Sequence, residues 1–155
     1  MSSAERPAVL LVDDNEATST LVTAILQRDF RTEIAGDGME AIERLRTNQY
    51  AAILLDLRMP QYDGFTVLEF LKTNQPKVLP TVLVVTALLG KRETERARSY
   101  GICDIIAKPF EVETLLEAVR RCVGQPLDGG TLGRSFFCSS PVILLIADLL
   151  KNRML

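Results

Sequence analysis

Four short, almost continuous apolar runs, at residues 8–12, 51–55, 81–85 and 102–107, alternate along the chain with longer stretches of helical spacing. Runs of that length without polar alternation fit strands buried on both faces, as in a parallel sheet covered by helices. A fifth run, 31–35, alternates polar and apolar residues and reads as an edge strand. Between the runs, Leu21, Ala24, Ile25 and Arg28 fall at helical spacing, as do Met39, Ile42 and Leu45. Val67, Leu68 and Leu71 predict a third helix, closed before Pro76 and Pro80. Residues 93–99 are charged nearly all round and predict the weakest, most exposed helix. Val112, Leu115, Leu116 and Val119 predict the last, with Gly124 as its stop signal. A strand followed by a helix, repeated along the chain, predicts right-handed crossovers and a doubly wound α/β parallel sheet.

Composition narrows the chemistry. The 155 residues include no histidine, which excludes Ser-His-Asp and Cys-His catalysis, His-ligated zinc and a phosphohistidine-carrier role. Lys and Arg number 18 against 20 Asp and Glu, a net charge of −2, which argues against a nucleic-acid or anionic-membrane binder. Cys103, Cys122 and Cys138 form no CxxC pair and are odd in number, so reduced thiols in a cytoplasmic protein are expected rather than a disulfide framework. No signal peptide is read at the N-terminus, and the apolar stretch 142–147 is far below the ~20 residues that span a bilayer. Residues 1–124 are expected to form the domain. Residues 125–155 read as a Gly- and Ser-rich linker followed by a short apolar helix, 142–150 (VILLIADLL). Such a helix is expected to dock on protein, on its own domain or, the favoured form, exchanged onto a second copy as a homodimer, the alternative being that it begins a further domain.

In open α/β sheets, ligands bind outside the carboxyl ends of the strands, where the strand order reverses. At those ends stand Asp13 and Asp14, Asp56, Thr86 and Lys108. Each alone is an ordinary turn or cap residue, but all gather at one edge of one sheet. Three carboxylates converging on one crevice cannot all stay ionised without a counter-ion. An all-oxygen donor set suits Mg²⁺, which keeps water and phosphoryl oxygens in its remaining positions. Lys108 adds a compact positive charge suited to a phosphoryl oxygen. The set points to phosphoryl transfer onto Asp56.

The stretches LLVDDNE (10–16), LLDLRMPQYDGF (54–65), VVTA (84–87) and IIAKPF (105–110) resemble the receiver domain of two-component response regulators. The resemblance covers roughly residues 8–123. It implies a flavodoxin-like (βα)5 fold with strand order 2-1-3-4-5. It also implies that Asp56 takes a phosphoryl group from the phosphohistidine of a sensor histidine kinase or phosphotransfer protein. Asp14, Asp56 and the main-chain carbonyl of Arg58 would bind Mg²⁺ directly, and Asp13 through a water. Thr86 would move to hydrogen-bond the phosphoryl group, and Lys108 would pair with it. Pro60 and Gly64 would shape the loop after Asp56, Ala87 would leave room for the phosphoryl group, and the Lys108–Pro109 bond would be cis. Three residues before the lysine the family usually carries an aromatic that changes rotamer; here it is Ile105, a β-branched residue without a ring.

Other readings compete. A flavodoxin-like FMN protein would need a phosphate cradle where Asp13, Asp14 and Glu16 would repel one. A phosphatase of the haloacid dehalogenase type would want a second carboxylate where Arg58 stands. Only Mg²⁺-dependent self-phosphorylation and slow self-dephosphorylation are therefore expected, not a turnover enzyme. The runner-up is a degenerate receiver, a phosphorylation-independent interaction module, against which stands the full set Asp13, Asp14, Asp56, Thr86 and Lys108.

Overall fold

A computed structural model describes residues 6–87 and 89–124. Among these residues five strands form one parallel sheet: β1 (Ala8–Val12), β2 (Arg31–Ala35), β3 (Ala52–Leu55), β4 (Val82–Thr86) and β5 (Asp104–Ala107). Their order is β2-β1-β3-β4-β5, which puts β2 at an edge and the reversal of order at β1, as the sequence predicts. Five α-helices connect or follow them: α1 (Glu16–Leu26), α2 (Gly38–Thr47), α3 (Gly64–Asn74), α4 (Lys91–Ser99) and α5 (Val112–Val123).

The continuous apolar runs conceal a period of two. Leu10, Val12, Ile53, Leu55, Val82 and Val84 face one buried cluster, shared with Ala41 and Leu45 of α2, Val67, Leu68 and Leu71 of α3, and Ala97 of α4. Val9, Leu11, Ala52, Leu54, Leu83 and Val85 face the other, shared with Val22 and Leu26 of α1 and Leu115, Ala118 and Val119 of α5. Both faces of β1, β3 and β4 are buried, so neither needs polar alternation. By contrast β5, expected to be buried on both faces, lies at the other edge and is only partly buried, with Asp104 and Ile105 half-buried and Ala107 exposed.

Helix phases differ from expectation at their margins. In α1 the buried residues are Ser19, Val22 and Leu26, while Leu21 is 53% exposed; the helix ends at Leu26, leaving Arg28 outside it. In α2, Ala41, Ile42 and Leu45 are buried and Met39 is exposed; in α5, Val112 is exposed and Ala118 buried. These helices carry more apolar residues than one stripe needs, so the contact with the sheet selects the phase. The helix α4 buries only Ala97, in keeping with its charged sequence. Pro76 and Pro80, read as stops, lie in a 3-10 helix, Pro76–Thr81, that buries Leu79 and Thr81. Pro76 sits at the first position of that helix, where its missing N–H forfeits no bond, whereas Pro80 lies inside it.

The cysteines require a correction. Cys103 and Cys122 are joined as a disulfide, their Cα atoms 5.7 Å apart and 19 residues apart in sequence. No spacing motif marks the pair; α5 runs back antiparallel to β5 and returns Cys122 to the start of that strand. Cys138, the linker and the expected helix at 142–150 lie outside the described residues.

Candidate functional site

Strand register brings the site together. Val12 pairs with Leu55, and the Asp56 N–H donates to Val12 O at 2.9 Å, so Asp13 and Asp56 emerge side by side. Thr86 pairs with Ala107, and the Lys108 N–H donates to Thr86 O at 2.7 Å, which delivers the lysine beside the threonine. Asp13 and Asp56 are 3% and 6% exposed, whereas Asp14 is open to solvent.

Asp56 is held by three donors. Its Oδ1 accepts from Thr86 Oγ1 at 2.8 Å and from the Arg58 N–H at 2.9 Å, and its Oδ2 accepts from Lys108 Nζ at 3.1 Å. Lys108 Nζ also donates to Asp13 Oδ2 at 2.6 Å, and Asp13 Oδ1 accepts from the Asn15 N–H at 2.8 Å. Burial alone would lower the Lys108 pKa, but the hydrogen bond to Asp13 and the charges of Asp56 and Asp13 outweigh it and raise it above 10.5. The ammonium therefore stays charged at neutral pH.

The surrounding loops are shaped to hold this arrangement. Asn15 caps α1 by accepting from the Thr18 N–H at 2.9 Å, fixing the chain just after the paired acids. A Cβ on Gly64 would lie 2.4 Å from Asp56 O and 2.8 Å from Leu57 Cα, so only glycine lets α3 start against the strand end. Gln61 has a φ of 66°, a left-handed turn between Pro60 and Gly64. The Lys108–Pro109 bond is cis.

Oxygens of Asp13, Asp14 and Asp56 all lie within 4.8 Å of one another, and this hard, anionic donor set fits a divalent cation such as Mg²⁺. The structure thus brings together Asp13, Asp14, Asp56, Thr86 and Lys108, with Arg58 adjoining through its main chain. Ile105 is half-buried against the same core cluster as Tyr100 and Leu89.

Two links that tie α4 to its neighbours, one to Arg58 beside the site and one to α3, have no sequence signal. The Arg58 guanidinium lies 3.5 Å from Glu93 Oε2, and that carboxylate also accepts from the Gly90 N–H at the start of α4. The Arg96 guanidinium stacks over the Phe65 ring of α3 at 4.0 Å, and the Tyr100 hydroxyl donates to Glu69. Both depend on contacts across elements far apart in sequence.

Comparison with known proteins follows the same outline. A family model described as the response regulator receiver domain matches residues 9–120. The chain is 29% identical over 126 residues to a probable chemotaxis protein CheY of Rhizobium etli, covering 80% of this chain and 98% of that protein. It is 31% identical over 114 residues to the transcriptional regulatory protein ZraR of Klebsiella oxytoca, covering 73% of this chain but 25% of that one. With TctD of Salmonella typhimurium the identity is 34% over 142 residues, 88% of this chain and 62% of that protein. The chain therefore spans a minor part of ZraR and under two thirds of TctD. Among solved structures, the receiver domain of the sensor histidine kinase PA1611 from Pseudomonas aeruginosa has a TM-score of 0.69 at 28% identity, covering 77% of this chain and 99% of that one. That structure is described with a magnesium ion coordinated in the active-site cleft. The non-phosphorylated HemR receiver domain from Leptospira biflexa has a TM-score of 0.71 at 30% identity, covering 77% and 96%.

Proposed function

The chain belongs to the response regulator receiver domain family, and from that premise we propose that Asp56 accepts a phosphoryl group from a sensor histidine kinase or phosphotransfer protein. Receiver domains are signalling switches rather than turnover enzymes, and they interact with histidine kinases and downstream effectors. The observation that carries the reading is the setting of Asp56, a buried carboxylate between Thr86, the Arg58 amide and Lys108, beside two further acids.

In the proposed step an Asp56 carboxylate oxygen attacks phosphorus, the P–N bond of the partner's phosphohistidine breaks, and the imidazole leaves with the partner. Asp13, Asp14, Asp56 and the Arg58 carbonyl would hold Mg²⁺, whose charge offsets that of the phosphoryl oxygens. Lys108, kept protonated beside Asp13 and Asp56, would pair with a phosphoryl oxygen on Asp56. The Thr86 hydroxyl already faces Asp56 and can transfer its hydrogen bond to the new group. Slow hydrolysis of the acyl phosphate resets the switch. Among the described residues no helix is long and apolar enough to cross a membrane. A cytoplasmic location, where a kinase partner would present its phosphohistidine, completes the proposal.

The test is labelling by a small acyl phosphate. Mg²⁺-dependent, acid-stable and hydroxylamine-labile labelling is expected in the wild type and absent in Asp56→Asn. Labelling that persists in that variant, or survives EDTA undiminished, would sink the assignment. A wild type that never labels would favour the phosphorylation-independent module.

A further inference from the structure

We propose that Cys103 and Cys122 are a reversible thiol–disulfide couple, a redox-modified site that fastens the last turn of α5 to the start of β5 without involving Asp56. Cys103 is anchored to the sheet, since its N–H donates to Val82 O at 2.8 Å. Cys122 is fully buried on the α5 face that also buries Leu115, Ala118 and Val119. The bond therefore joins the sheet to α5 directly. Next to it Arg121 and Asp104 form a 2.6 Å ion pair, but both side chains are substantially exposed, so that contact alone holds α5 weakly. An open cleft of about 430 Å³ borders the same elements, lined in part by Ile106, Phe110, Thr114 and Ala118. The bridged segment carries Ile105 and Lys108, so its freedom bears on the surface next to the site.

In a reducing compartment a disulfide is usually transient and redox-sensing. Cys103 is partly buried and Cys122 fully enclosed, which assigns Cys103 as the sulfur attacked from solution and Cys122 as its resolving partner. In the oxidising direction the Cys103 thiolate attacks a small disulfide such as oxidised glutathione, releasing one thiol. The Cys122 thiolate then attacks the Cys103 Sγ and releases the second. Two protein thiols are oxidised as the small disulfide is reduced to two thiols, and a dithiol reverses the exchange.

The test uses the full chain equilibrated with oxidised glutathione or with dithiothreitol, followed by thiol alkylation, peptide mapping and amide hydrogen exchange. After oxidation a Cys103–Cys122 peptide and a single alkylated cysteine are expected; after reduction, three alkylated cysteines. Amides of residues 112–123 should exchange about ten-fold faster in the reduced form. Cys122→Ala should exchange at the fast rate in both media. Three reactive thiols after oxidation, a bond from Cys138 to either partner, or α5 exchange unchanged between the two states would overturn the proposal. None of these readouts uses Asp56, so failure to label that residue leaves the couple standing.

Discussion

Lys108 Nζ stands 2.6 Å from Asp13 Oδ2, nearer than its 3.1 Å approach to Asp56 Oδ2. The ammonium that faces Asp56 is thus anchored on a different carboxylate, and both keep it protonated. Its folded pKa is raised above 10.5. The stabilisation it contributes is therefore complete below the unfolded value and is lost only as pH rises through the folded one. Labelling of Asp56 should show no step from Lys108 between about pH 6 and 10. A decline in that window that disappears in Lys108→Arg would contradict this.

Lys108 and Thr86 should separate in function. Lys108→Ala removes the counter-charge of two buried acids, and we expect labelling to slow about ten-fold or more. Thr86→Ala removes one neutral donor to Oδ1, about 1 kcal/mol, and should leave labelling largely intact while blunting the conformational response. Rapid-quench labelling alongside chemical-shift mapping distinguishes the two; equal, total loss of labelling in both variants would refute the division.

Three carboxylates share one small volume, so a divalent cation should stabilise the fold. At about a hundred times its dissociation constant, Mg²⁺ should add about 2.7 kcal/mol to unfolding. Asp14→Asn, at the exposed member of the set, should lose most of that increment and melt higher than the wild type in EDTA, because like-charge repulsion is relieved. Calorimetric melts with and without Mg²⁺ measure both effects. An undiminished Mg²⁺ shift in the variant would remove Asp14 from the metal set.

The helix α4 buries one residue, Ala97, and leans on α3 through Arg96 over Phe65. It should show the fastest amide exchange among α1 to α5. Arg96→Ala, which forgoes a stacking contact of about 0.5–1 kcal/mol, should speed that exchange further without altering Asp56 labelling. Residue-resolved exchange in which α4 is as protected as α3 would argue against this anchoring.

The sequence alone determined the strands, the doubly wound class and the polar strand-end residues. The reason is local: a strand buried on both faces must be apolar throughout, and a polar residue ending it is visible without knowledge of its neighbours. Asp13, Asp56, Thr86 and Lys108 are legible for that reason. Only the tertiary structure decided what depends on distances between elements. The face that α1 buries, with Val22 and Leu26 inside and Leu21 outside, was chosen by contact with the sheet. The Cys103–Cys122 bond, the Arg58–Glu93 pair and the Arg96–Phe65 stack join residues with no mutual spacing rule. Periodicity reports which side of an element is apolar, whereas through-space pairing is set by how the elements pack.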